Sequence, residues 1–238
     1  MRDESENGSE DALNRYGDDV VRTTGRHGAD IASQRLDTLD KAALQHALST
    51  LDSSPTAVDI GCGLGTQGIR FGLMGVETTL VDVLDISARI DLLQEVFEIC
   101  ELHFVNKDAK RLTADDIPNR IGTAYSQRFI HYLRFKEARD LLEQVVERMV
   151  SDGRVFVSAS GLHSELGDGY PHKERPIEDR LTKLAPEMQE KHDIRDEICL
   201  YTVEDMKQLL KASGIEPIRV ERSEFGNIKA VGEPKMSS

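Results

Sequence analysis

The sequence predicts an α/β fold: a seven-stranded, mostly parallel sheet with one antiparallel strand and helices on both faces. Three observations carry this. Short apolar runs alternate with amphipathic stretches along most of the chain, a pattern that joins parallel strands through right-handed crossovers. The first apolar run ends in a glycine-rich turn that opens a helix. The last two runs are separated only by Ser223-Glu224-Phe225-Gly226-Asn227, too short for a parallel crossover, so they form an antiparallel hairpin.

Taken in order, residues 1–14 are acidic and poor in apolar side chains and read as a disordered tail; 15–238 read as one domain. A basic stretch with Tyr16, Arg22, His27 and Arg35 is a candidate flap. Leu36, Leu39, Ala43 and Ala47 recur at helical spacing over 36–51, and Pro55 follows the end of that helix. Strands are expected at 56–60, 78–81, 102–105, 122–126 and 154–159. Between them lie helices at 66–74, 86–98 and 135–150, and Gly153 lies just past the last. A helix over 203–212 ends at Gly214, a C-terminal cap, and the hairpin strands are 217–222 and 228–231. Residues 161–200 break the alternation. They are polar, carry Pro171, Pro176 and Pro186, and are too long for an ordinary loop, so they read as a lid-like insertion.

Composition narrows the function. Lysine and arginine total 30 against 43 aspartate and glutamate, a net charge of −13 with no long basic cluster. Nucleic-acid binders need a basic stripe to displace counterions, so that partner class is disfavoured. No apolar run approaches the roughly 20 residues of a membrane helix. The N-terminus lacks the apolar region of a secretory signal. Cys62, Cys100 and Cys199 are far apart, without metal-type spacing. Together these point to a cytoplasmic protein without a disulfide framework.

The most informative segment is Ala57-Val58-Asp59-Ile60-Gly61-Cys62-Gly63-Leu64-Gly65-Thr66. Alternate glycines let the backbone turn sharply and approach a ligand closely. Asp82 ends the next strand about 20 residues on, where nucleotide-binding folds place a carboxylate for the ribose hydroxyls. Asn106-Lys107-Asp108-Ala109 follows the third strand. In this order and spacing the chain resembles the class I methyltransferases dependent on S-adenosylmethionine (SAM), whose sheet is Rossmann-like. The resemblance covers roughly 36–160 well and the C-terminal hairpin moderately.

That resemblance implies SAM as cofactor, held by Asp59, Gly61, Gly63, Gly65, Asp82, Asp108, Ala109 and Ser126. Asp82 would take the ribose hydroxyls, and Asp108 with the Ala109 N–H the adenine. It also implies a catalytic segment after the fourth strand, where Arg128 and His131 stand. His131 is the candidate general base. Tyr170 and His172 are candidate lid contacts to a small-molecule acceptor. No base-methylating signature is present, since Tyr125-Ser126-Gln127-Arg128 replaces the Asn/Asp-Pro-Pro-aromatic motif and no Pro-Cys pair occurs.

Two rivals stay open at this point. Gly63-Leu64-Gly65-Thr66-Gln67-Gly68 literally satisfies the dinucleotide fingerprint, which would make the chain an NAD(P)-dependent oxidoreductase. Asp59 beside the loop favours cationic SAM over a pyrophosphate. A catalytically silent SAM-binding protein would keep the same loop and carboxylates. His163, Glu165, Asp168 and His172 lack a metal-binding spacing, so no metal is expected.

Overall fold

A computed structural model describes residues 13–16, 19–22, 36–53, 55–97 and 102–235. Strands β1 (Leu13–Tyr16) and β2 (Asp19–Arg22) pair as an antiparallel hairpin, which the sequence reading did not anticipate. Most of the expected tail, with His27, Arg35 and Cys100, lies outside the described residues.

The main sheet contains β3 (Thr56–Ile60), β4 (Thr78–Asp82), β5 (Leu102–Asn106), β6 (Ile121–Ser126), β7 (Met149–Ala159), β8 (Ile215–Arg222) and β9 (Ile228–Pro234). Their order is β5-β4-β3-β6-β7-β9-β8. All neighbours from β5 to β7 are parallel, and β9 runs antiparallel to both β7 and β8. The expected sheet of seven strands with one reversed is therefore present. The order turns around at β3, where β4 lies on one side and β6 on the other. In open α/β sheets, the crevice beyond the strand ends at such a point is where ligands bind.

The alternation of strand side chains explains the layers. Val58, Val81, Ala124, Val155 and Val157 share a buried cluster with Leu141, Leu142 and Val145 of α4 (Phe135–Val146) and Met206, Leu209 and Leu210 of α6 (Val203–Ala212). Their sequence neighbours face the other way. Ala57, Tyr125 and Phe156 pack with Leu39, Ala43 and Ala47 of α1 (Thr38–Ser49), while Leu80 packs with Ile69 of α2 (Thr66–Leu73) and Ile90 of α3 (Ser87–Phe97). Burial on both faces is what lets parallel strands read as continuous apolar runs.

The insertion forms its own small core. Leu162, Leu166, Tyr170, Leu184, Ile194, Ile198 and Leu200 are buried together, with the short helix α5 (Pro186–His192) within the segment. Tyr132, which follows β6, packs against this cluster. Arg180 ties the insertion to α6 through a buried ion pair with Asp205 at 2.5 Å. Among the described residues, no helix is long and apolar enough to cross a membrane.

Candidate active site

The glycine loop leaves β3 with three glycines at positive φ: Gly61 at 68°, Gly63 at 55° and Gly65 at 75°. Left-handed backbone of this kind disfavours side chains. Gly61 carries a second constraint, because a Cβ there would meet the Phe129 ring at 2.1 Å. The loop is thus pressed against the segment that follows β6. Gly63 is different: nothing lies within 4 Å of where its Cβ would stand. The loop therefore packs on one side and opens on the other.

Two carboxylates brace it. Asp82 Oδ2 accepts the Gly63 N–H at 2.7 Å, and its Oδ1 accepts the Leu84 N–H at 2.8 Å. The loop and the end of β4 are thereby joined. Asp59 is buried beneath, where its Oδ2 accepts the Gly68 N–H at the start of α2, at 3.0 Å. Burial raises its pKa to about 7, with the charges of Asp82 and Asp40 adding in the same direction. Asp59 thus supports the loop from below.

Asp108 Oδ1 caps the short turn Ala109–Arg111 by accepting the Lys110 N–H at 3.0 Å, and Ala109 is buried. Asp82 and Asn106 are register partners, so the segment after β5 lies beside the end of β4. Ser126 ends β6, one residue past Tyr125, the register partner of Asp59. Its Oγ is buried and has no hydrogen-bond partner. Such an orphaned hydroxyl beside the loop suits a ligand's polar group.

Arg128 and His131 follow. The Arg128 N–H reaches both the Ser158 carbonyl, at 3.1 Å, and Ser158 Oγ, at 3.0 Å. His131 is 1% exposed, and its Nδ1 faces the Ser160 N–H at 3.4 Å. Burial, assisted by the Arg128 charge, pushes its pKa down to about 3. The ring is therefore neutral near pH 7 and poor at taking up a proton, unlike the base that the sequence suggests.

The lid candidates divide. The Tyr170 ring is inside the insertion's own core, and its hydroxyl sits between the carbonyls of Arg180 and Ile198, at 2.6 and 2.7 Å. It holds the insertion together. His172 is half-buried, with Nδ1 unpartnered. Among the described residues, no hydrogen bond or ion pair joins either of them to Arg128 or His131. Glu165 pairs with Lys191 and with His192 Nε2, the latter at 3.2 Å.

A buried network was missed by the sequence reading. Asp37 caps α1 and accepts from Gln127 Nε2 at 3.0 Å and Lys229 Nζ at 2.7 Å. Asp40, 1% exposed, accepts the Tyr125 hydroxyl, and burial raises its pKa. The sequence does hold a signal for half of this: Asp37 and Asp40 stand as the two members of a capping box before an apolar run.

No family model and no curated protein matches the chain. Solved structures do. An N1-methyltransferase from Burkholderia thailandensis, holding 1,6-didemethyltoxoflavin and S-adenosylhomocysteine, superposes with a TM-score of 0.61 at 17% identity, over 87% of this chain and 82% of that one. Magnesium protoporphyrin IX methyltransferase from Synechocystis PCC 6803, with bound S-adenosylhomocysteine, gives 0.56 at 15% identity over 85% and 83%. A SAM-dependent methyltransferase from Clostridium acetobutylicum gives 0.59 at 10% identity over 87% and 95%. With its strand order, its reversed β9 and these neighbours, the chain has the fold of the class I SAM-dependent methyltransferases.

Proposed function

We propose that this protein is a SAM-dependent methyltransferase acting on a small molecule by in-line methyl transfer. The carrying observation is the joint between Asp82 and the glycine loop: a strand-end carboxylate bonded to Gly63, whose outer side is open. The site fits the cofactor on three counts. Asp82 can accept the ribose hydroxyls, because a carboxylate's two oxygens together offer about four acceptor positions. Ser126 Oγ awaits a polar partner. The Asp108–Ala109 turn, beside the end of β4, would border the adenine. When bound, SAM supplies a methyl carbon already activated by its sulfonium.

The same geometry speaks against a dinucleotide. A pyrophosphate needs the N–H groups of the loop and the helix start. Here the Gly63 and Gly68 N–H groups already go to Asp82 and Asp59.

The chain's own contribution is positioning, which suffices for much of the rate in a displacement at an activated carbon. Phe129 holds the loop against the segment that carries Arg128, and within that segment neutral His131 is buried against the Tyr132 ring and the Ser160 N–H. The neighbours named as methyltransferases of 1,6-didemethyltoxoflavin and magnesium protoporphyrin IX support a small-molecule acceptor. Calorimetric titration tests the reading. SAM and S-adenosylhomocysteine should bind and NADH should not; NADH binding without SAM binding would overturn it.

A further inference from the structure

Arg128 is the residue this fold explains least. Its φ is 53°, a left-handed conformation that is costly for a residue with a side chain. The Ser158 contacts hold it there. Strain of this kind persists where the surroundings impose it, and it gathers at ligand sites.

The side chain is equally unsettled. It is half-buried, and its Nε is shut off from water without a hydrogen-bond partner. Among the described residues it makes no ion pair. Arg180 shows the contrast: it meets Asp205 at 2.5 Å and the carbonyls of Arg175 and Leu200 at 3.0 and 2.9 Å. A partly desolvated cation left unpaired is unfavourable, and proteins rarely retain one without a partner.

Among the described residues, no carboxylate forms an ion pair with Arg128, and the two that act on its neighbours, Asp196 and Glu165, have other partners. Arg128 lies within electrostatic range of His131, Tyr132 and His192. Burial keeps His131 uncharged and pushes the Tyr132 hydroxyl up to about 12. Burial likewise lowers the pKa of His192, with the charges of Lys191 and Arg128 adding to the effect against the pull of Glu165. Asp196 acts on Tyr132, and Glu165 is engaged by Lys191 and His192. The guanidinium thus stands at the junction of β6 and the insertion, beside the rings of His131, Tyr132 and His192.

We infer that Arg128 binds an anionic group of the acceptor, a carboxylate or another oxyanion with two oxygens in reach of one guanidinium edge. The two terminal N–H groups, which no hydrogen bond engages among the described residues, form a planar pair of parallel donors that matches two such oxygens, which a lysine would not. This rests on the methyltransferase reading for the word acceptor; the anion site itself does not.

The experiment titrates the protein, with and without saturating S-adenosylhomocysteine, with acetate, benzoate, inorganic phosphate and the neutral benzamide. Binding of at least one anion, with benzamide not binding, is the expected result. Arg128→Met should weaken that binding roughly 10- to 150-fold while S-adenosylhomocysteine affinity stays unchanged. A carboxylate is distinguished from a phosphate by which probe binds more tightly. If no anion binds, or if Arg128→Met binds it as wild type does, the inference is overturned. Arg128→Gly separates a ligand role from a structural one. It relieves the positive φ and removes the unpaired cation, so its Tm should equal or exceed that of wild type; a clear drop would show that the fold needs Arg128 and overturn the inference. Absence of S-adenosylhomocysteine binding in wild type would count against the methyltransferase reading alone, because the anion titrations without it are read independently.

Discussion

Asp59 and Asp82 show how two aspartates that brace one loop take opposite roles. Asp82, at the rim, accepts two backbone N–H groups and in the proposed site would take the ribose hydroxyls. Replacing it by alanine removes a charged acceptor worth about 1.5–3 kcal/mol, so SAM affinity should fall roughly 10- to 150-fold. Isothermal titration of a folded Asp82→Ala variant checks this, and unchanged affinity would remove Asp82 from the site. Asp59, in the interior, has its pKa raised by burial from 3.8 to about 7. The folded state therefore holds a proton that the unfolded state releases between about pH 4 and 7. Stability from this group is full below that window and is lost as pH rises through it, by roughly 4 kcal/mol in all. Asp59→Asn keeps an acceptor for Gly68 and removes the titration. Urea unfolding should find the variant more stable than wild type at pH 8, with the difference vanishing toward pH 4. A difference independent of pH would show that Asp59 is not protonated in the native state.

At the scale of elements, the insertion is a packed layer, anchored by a charge pair. Arg180 and Asp205 side chains are only 8% and 12% exposed. Asp205 also accepts the Thr202 N–H at the start of α6. Breaking one half of such a pair leaves a buried charge, at a cost of about 3–5 kcal/mol, whereas replacing both can be nearly neutral. Asp205→Asn should therefore be strongly destabilising, and adding Arg180→Met should restore most of the loss; a double variant as unstable as the sum of the singles would refute the coupling. In the sequence, polarity and three prolines set the segment at 161–200 apart from the strand–helix alternation. Its buried core was not legible, because Leu162, Leu166 and Ile198 follow no single period. Most strands of the sheet were legible for the opposite reason, each being a short apolar run between turn residues. β7 is the exception. Met149 and Val150 continue the helical phase of α4, yet they begin the strand. The register jumps from Ile121–Met149 to Thr123–Arg154, so a bulge absorbs the extra residues, and periodicity carries no signal for a bulge. Pro217 similarly hides the start of β8 at Ile215; a proline is tolerated there because β8 is an edge strand with a register shift at that point.

For the whole molecule, charge and topology converge on one edge. The candidate cofactor-side residues could be named from the sequence because a strand that ends in glycine or aspartate is a local pattern. Arg128 was legible only by position, since its strain and its missing partner arise from β7 and the insertion, distant in sequence. The topology sets Asp82 at the end of β4 and Asp108 just past β5, beside it. In a chain of net charge −13 these two partly exposed carboxylates, rather than the buried Asp59 and Asp40 whose pKa values burial raises, would make the proposed ligand edge a region of negative potential. SAM carries one more positive charge than S-adenosylhomocysteine, the sulfonium, and is otherwise alike in shape. Electrostatic attraction should therefore favour SAM at low ionic strength, whereas the contacts they share should be affected equally by salt. The Debye length shrinks from about 10 Å at 0.1 M to about 3 Å at 1 M, which screens the more distant carboxylates and spares direct contacts. The ratio of SAM to S-adenosylhomocysteine affinity should then fall roughly three- to tenfold over that range. Competitive titration at the two salt concentrations measures the ratio directly. A ratio that does not change with salt would mean that the acidic edge does not select the cation, and that the glycine loop and Asp82 bind both molecules through the parts they share.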